Sequence, residues 1–248
     1  QLQWKLNEDI YHLRVSTLPT THGEDIVLRL FNQDQHAHHI DHIGLNDTVL
    51  SDIKEKLKKP HGLFLVTGAT GSGKTSTLYA MMTYIYSHFK RQIISIEDPV
   101  EVQLNGIRQS SINTAIGFNF NTALKAILRQ DPDVIVIGEI RDKESAQTAL
   151  AAAYTGHLVL ASLHTNSVEN TVKRLQSFDC DPFLLSQCLL SICSQQLHPI
   201  SCPSCQNMGC KNCNFSGITG RQLAIEYLGK KGSLSITNQP MSTIKKSH

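Results

Sequence analysis

The strand-like run Leu63-Phe64-Leu65-Val66, the loop Gly68-Ala69-Thr70-Gly71-Ser72-Gly73-Lys74-Thr75 and the helical spacing of Leu78, Met81, Met82 and Ile85 decide the fold. The loop is a full match to G-x-x-x-x-G-K-[ST], and it joins a buried strand to a helix, where a phosphate-binding loop belongs. Its backbone N–H groups converge at the positive end of the helix dipole, which suits a triphosphate. Glycine lets the main chain wrap the phosphates without Cβ clashes. Lys74 is placed to reach the β- and γ-phosphates, and the Thr75 hydroxyl to ligate Mg²⁺. The nucleotide-binding set is thus Gly68, Ala69, Thr70, Gly71, Ser72, Gly73, Lys74, Thr75 and the following Ser76. A chance glycine-rich turn is the alternative, and the flanking strand and helix weigh against it.

Working outward, short apolar runs alternate with helical patterns. Strands are expected at Leu63–Val66, Ile93–Ile96, Val134–Ile137 and Leu158–Ala161. Helices are expected at Thr75–His88, Phe120–Leu128, Ser145–Tyr154, Ser167–Ser177 and Pro182–Ser194. That alternation implies an α/β fold with a mainly parallel sheet and helices on both faces. Upstream, Tyr11–Ser16 and Asp25–Phe31 read as paired strands joined by a turn-rich loop, Leu18–Glu24. The histidine-dense stretch Asn32–His42 reads as a solvated linker rather than a metal site, because no cysteine or carboxylate pair accompanies it. The chain opens on Gln1 inside an alternating pattern (Leu2, Trp4, Leu6), as a piece of a longer protein would.

The chain has 248 residues, of which 40% are hydrophobic and 18% charged, with a net charge of +2. That length allows one substantial core with small modules attached. So small a charge leaves no electrostatic footprint for nucleic acid. No apolar run is long enough to span a bilayer, and no secretory signal opens the chain, so a cytoplasmic protein is expected. Seven cysteines then point to metal or buried thiols.

Hydrolysis of a triphosphate needs a cradle, a metal, an oriented water and positive charge near the γ-phosphate. Val134-Ile135-Val136-Ile137-Gly138-Glu139 delivers Glu139 to the carboxyl end of a buried strand, where ligands of open α/β sheets bind. Glycine occupies the usual aspartate position, leaving Glu139 to supply the acidic group. Ile96-Glu97-Asp98-Pro99-Val100-Glu101 brings more carboxylates to the same edge. Glu97 is the candidate to orient water or hold Mg²⁺ through water, and Asp98 to cap a turn. His157 and His164 bracket the strand at Leu158–Ala161 as candidate γ-phosphate sensors. Cys202-Pro203-Ser204-Cys205 and Cys210-Lys211-Asn212-Cys213 form two C-x-x-C pairs, and four thiolates favour a closed structural Zn²⁺ site. An iron–sulfur cluster fits the spacing less well. Cys180, Cys188 and Cys193 read as buried thiols.

Gly68–Thr75, Ile96–Glu101, the segment from Leu128 through Asp142, and the segment from Thr155 through Asn166 together resemble the secretion ATPase superfamily. The match is specifically to the type IV pilus assembly and type II secretion ATPases, where these segments are the Walker A, aspartate, Walker B and histidine boxes. The resemblance covers nearly the whole chain, in order. It implies a RecA-like domain, Mg²⁺-dependent ATP hydrolysis, a homo-hexamer and an inner-membrane platform protein as partner, with the protein peripheral to the inner membrane. It also implies that residues 1–32 end a second N-terminal α+β domain, in which Arg14 and Arg29 match arginines that reach nucleotide phosphates. The boundaries that follow are a linker at 33–45, the ATPase domain at 46–200, a zinc module at 201–222 and a tail at 223–248. Related assembly ATPases carry a tetracysteine motif here with a longer insert between the pairs. Retraction relatives generally lack it, so assembly is expected over retraction. A nucleotide-binding remnant without turnover is a further alternative, and the near-neutral charge weighs against a nucleic-acid translocase.

Overall fold

Alternating apolar residues along the central strands feed two cores, one on each face of a single sheet. The structure, a computed structural model, describes residues 2–6, 9–32, 39–229 and 234–239. A first, three-stranded sheet holds β1 (Leu2–Leu6), β2 (Asp9–Thr20) and β3 (Gly23–Asn32), all antiparallel. After helix α1 (Asp47–Leu57) come β4 (Gly62–Gly68), α2 (Lys74–His88), β5 (Ile93–Glu97) and β6 (Arg108–Ser111). Next are α3 (Phe120–Ile127), β7 (Val134–Ile137), α4 (Lys143–Tyr154) and β8 (Leu158–Leu163). The chain continues through α5 (Val168–Ser177), α6 (Pro182–Cys188), β9 (Leu189–Ser201), β10 (Ile218–Leu228) and β11 (Leu234–Gln239).

The second sheet has the order β11-β10-β9-β4-β8-β7-β5-β6. Its pairings from β9 to β6 are parallel, and β10 and β11 extend it antiparallel. Leu63 and Leu65 of β4, Ile135 and Ile137 of β7, and Val159 and Ala161 of β8 share one core with α3, α4, α5 and α6. Their neighbours Phe64, Val66, Val134, Val136, Leu158 and Leu160 share the other with α1 and α2. This is period-two alternation on a sheet covered on both faces. Local chemistry sets the helix starts. Asn46, Asn119, Asp142, Ser167 and Asp181 each accept a backbone N–H at an N-terminus, and Asp142 forms a capping box with Ser145. Among the described residues no helix is long and apolar enough to cross a membrane.

Four expectations need correcting. The helix expected over Pro182–Ser194 ends at Cys188, because Leu189–Ser194 opens β9, which pairs with β4. A short apolar run fits either state, and here the open edge of β4 decides. The turn expected over Leu18–Glu24 shrinks to Thr21-His22, since Leu18-Pro19-Thr20 stays in β2. Pro19 is tolerated because β1 pairs only with Asp9–Leu13, so β2 has a single partner there. The end of the expected linker is core: Ile40, Ile43 and Leu45 are buried against α1 and α2. Residues 33–38, with His36 and His38, lie outside the described residues. The stretch expected as a tail from residue 223 begins inside β10.

Ile40 is 2% exposed. Ile40→Ala should lower unfolding free energy by about 2–5 kcal/mol in urea titrations, whereas a solvated linker would show no change.

Candidate active site

Parallel pairing brings the carboxyl ends of β4, β5, β7 and β8 to one edge, and a cleft of about 720 Å³ opens there, a size common for small-ligand sites. The phosphate loop forms one wall. Gly68, at φ +148°, passes so close to Gln195 O and Ser72 Oγ that a Cβ would collide with both. Gly73 sits left-handed, at φ +90°, as the N-cap of α2. Lys74 is buried and donates from Nζ to Gly68 O and Ala69 O, both at 2.9 Å. Burial pushes its pKa down, and the nearby Glu139 carboxylate opposes that shift. Ser72 Oγ is buried without a hydrogen-bond partner, as suits a cradle built to take an anion. Thr70, Gly71, Thr75 and Ser76 line the same wall.

Glu97 lies at the end of β5, on the face that α2 covers, and is 5% exposed. Three neutral donors hold it. The Tyr79 hydroxyl donates to Oε2, while Ser95 Oγ (2.6 Å) and Gln109 Nε2 (3.1 Å) donate to Oε1. The Tyr79 hydroxyl pKa is driven up by burial and then by the Glu97 carboxylate.

Glu139 follows β7 across Gly138 and has charged company. Arg141 Nε donates to its Oε2 at 2.8 Å, and His164 Nε2 lies 3.2 Å from its Oε1. Arg141 also reaches Asp98 Oδ2 at 3.0 Å, tying together the carboxylates at two strand ends. These bonds, led by the one to Glu139, raise the arginine pKa. Asp98, expected as a turn cap, serves as an ion-pair partner. The glycine before Glu139 has a packing reason. A Cβ there would meet Ile96 O at 3.0 Å and Glu97 Cα at 3.2 Å, and Gly138 N–H donates to Ile96 O at 2.7 Å.

Not every expected residue reaches this cleft. His164 lines it, at the carboxyl end of β8. His157 precedes the amino end of the same strand, where its backbone carbonyl accepts from Gly62 N–H and its ring Nδ1 lies 3.1 Å from Ala152 O. The six residues of β8, at about 3.3 Å each, therefore separate His157 from the cleft edge. Two histidines that read alike in sequence thus lie at opposite ends of a strand. Arg14 and Arg29 are register partners on β2 and β3, and their side chains lie outside the described residues. Sequence reasoning gave no role to Tyr79, Arg141, Gln109 or Arg221. Tyr79 and Arg221 line the cleft too. Period-two spacing back from Glu97 through Ser95 to Ile93 was the available signal that this carboxylate faces α2.

Cys202, Cys205, Cys210 and Cys213 converge at the tip of the β9–β10 hairpin, their sulfurs within 4.8 Å of one another. Three Sγ–Sγ separations are 3.8 Å. A tetrahedral ion with metal–sulfur bonds of about 2.3 Å requires about that edge length, so the four thiols fit such an ion despite the short insert between the pairs. Each C-x-x-C turn closes on its first cysteine carbonyl and then passes through two left-handed residues, Gln206-Asn207 and Asn214-Phe215. N–H groups of Cys210 and Gly217 donate to Cys213 Sγ, the first chief in lowering its pKa to about 6, while burial raises that of Cys205 to about 12. Cys180, Cys188 and Cys193 are buried free thiols, and burial raises the last two to about 11 and about 12.

Known proteins resemble this arrangement. A family model described as type II/IV secretion system protein matches residues 1–246. Type II secretion system protein E of Pseudomonas aeruginosa is 46% identical over 194 residues, covering 78% of this chain and 38% of that protein. Type II secretion system ATPase E of Vibrio cholerae is 39% identical over 234 residues, covering 84% of this chain and 46% of that protein. The chain thus spans less than half the length of these relatives. The crystal structure of the pilus retraction motor PilT with bound ADP superposes with a TM-score of 0.71 at 33% identity, covering 92% of this chain and 62% of that one.

Gly138→Ala should separate the ends of β5 and β7. A loss of about 1–3 kcal/mol in chemical denaturation is expected, and unchanged stability would show that Ile96 and Glu97 yield freely.

Proposed function

Because the chain belongs to the type II/IV secretion system protein family, we propose that it is the catalytic portion of a Mg²⁺-dependent ATPase that powers assembly of a type II secretion pseudopilus or type IV pilus. The observation that carries this reading is the meeting of the Lys74 loop with Glu97 and Glu139 in one cleft. Lys74 exchanges its two loop carbonyls for β- and γ-phosphate oxygens as ATP enters. Thr75 and Glu139 are the residues suited to hold Mg²⁺, which when bound neutralises phosphate charge. Glu97, fixed by three donors, orients the attacking water. His164, in contact with Glu139, senses the γ-phosphate, whereas His157 serves the packing of α4 against β8. Arg14 and Arg29 supply further positive charge from the first sheet, as arginine fingers do.

Assembly is preferred to retraction because the chain carries the four-cysteine cluster that retraction relatives generally lack, and its relatives include type II secretion system protein E at 46% identity. We further propose a homo-hexamer working on an inner-membrane platform protein from the cytoplasmic side, without nucleic acid as partner. The domain division keeps residues 1–32 as the end of an N-terminal domain. The ATPase domain is followed by a cysteine module that holds one structural Zn²⁺. With four thiolate ligands, no coordination position stays open for catalysis.

Steady-state phosphate release tests the cleft. Lys74→Ala should lose nucleotide binding and turnover together, turnover by about 100- to 1,000-fold. Glu139→Gln should still bind ATP while turnover falls by about 100- to 10,000-fold. Tight ATP binding in Lys74→Ala would overturn the phosphate-loop assignment. Metal analysis tests the module separately. About one zinc per chain is expected, lost in Cys205→Ser. Purified chain with no metal and four freely titrating thiols would remove the zinc.

A further inference from the structure

We propose that Tyr79 is a positioning residue that aims Glu97 into the cleft and ties that carboxylate to the loop of residues 98–104. The inference rests on the ATPase reading and assigns a role to a buried group that reading does not use. Tyr79 is 2% exposed. Its hydroxyl donates to Glu97 Oε2 and accepts from the backbone N–H groups of Glu101 (3.1 Å) and Val102 (3.4 Å). A phenol has one proton to give. With two backbone donors pointing at its oxygen, that proton is directed to the carboxylate.

Gln109 repeats the arrangement from the other side. Its Oε1 accepts from Leu104 N–H at 2.7 Å, while Nε2 donates to Val102 O at 3.0 Å and Glu97 Oε1 at 3.1 Å. Two side chains from different elements thus hold the same two things, the carboxylate and the loop. A tyrosine serving packing alone would need one partner for its hydroxyl, not three aligned this way. Tyr79 also stands on α2, five residues after Lys74 and about 7.5 Å along the helix. Tyr79 thus gives α2 a direct hydrogen-bonded link to Glu97 and to the loop, about one turn beyond the residue proposed to meet phosphate.

Tyr79→Phe removes the hydroxyl and leaves the ring. It should lower kcat by about ten- to hundredfold, while the Kd for a fluorescent ATP analogue stays within about threefold, because the phosphate loop is untouched. In a Glu97→Gln background the same change should alter the residual kcat by less than about twofold, the non-additivity expected of residues acting as a unit. Hydrogen exchange of the 98–104 amides should rise in Tyr79→Phe. Undiminished kcat in Tyr79→Phe, or equal losses in both backgrounds, overturns the positioning role. A wild-type chain without turnover counts against the ATPase reading instead. Amide exchange then decides the tie by itself, and equal exchange in wild type and Tyr79→Phe overturns it.

Discussion

Parallel pairing of β4, β8, β7 and β5 aligns their carboxyl ends, and everything in the cleft hangs from that alignment. In register, Leu65 lies opposite Ala161, and Ala161 opposite Ile137, which in turn lies opposite Ile96. Each strand then releases its next residues at the same edge: the phosphate loop after β4, His164 after β8, Glu139 after β7, and Glu97 with Asp98 around the end of β5. No loop has to travel to bring them together. The cost falls on packing, since a Cβ at Gly138 would press on Ile96 O and Glu97 Cα at 3.0 and 3.2 Å. Both faces of the sheet must also be apolar, which is why α1 and α2 close one side and α3 to α6 the other.

Within the cleft, Lys74, Glu97, Glu139 and Arg141 all have polar partners. Lys74 rests on two carbonyls of its own loop, and Arg141 bridges Glu139 and Asp98. Such groups already stand at their positions, so on the proposed reading little reorganisation would oppose phosphate binding. The two glutamates are held differently. Glu97 is buried among neutral donors on the α2 face, while Glu139 sits beside an arginine and a histidine. Equal chemistry in unequal surroundings is a basis for dividing roles between two carboxylates.

The cysteine cluster joins this architecture through β9. That strand pairs with β4, Gly68 lying opposite Gln195, and continues to the turn that carries Cys202 and Cys205. Leu197 and Arg221, on the two arms of the hairpin, line the cleft below the cysteines. The hairpin that carries the four cysteines at its tip thus also contributes to one wall of the cleft.

The sequence by itself determined the local devices: the phosphate loop between strand and helix, four apolar strand runs, and four cysteines at ligand spacing. Each rests on interactions within a few residues, which is why pattern alone reveals them. Where a short apolar run had two solutions, only the tertiary structure decided. Leu189–Ser194 became a strand because β4 had an open edge to satisfy, and Ile40 joined the core because α1 and α2 left a place for it. The same holds for the site. Bracketing one strand made His157 and His164 look equivalent, yet a strand separates its ends by its full length, and just one end meets the cleft. Tyr79 belongs to no motif, and the segment that contains Arg141 does not say what that arginine touches. Glu97 lies 18 residues from Tyr79, and Asp98, the second partner of Arg141 after the nearby Glu139, lies 43 residues from it; only folding, through the parallel register that sets strand ends side by side, makes these pairs neighbours.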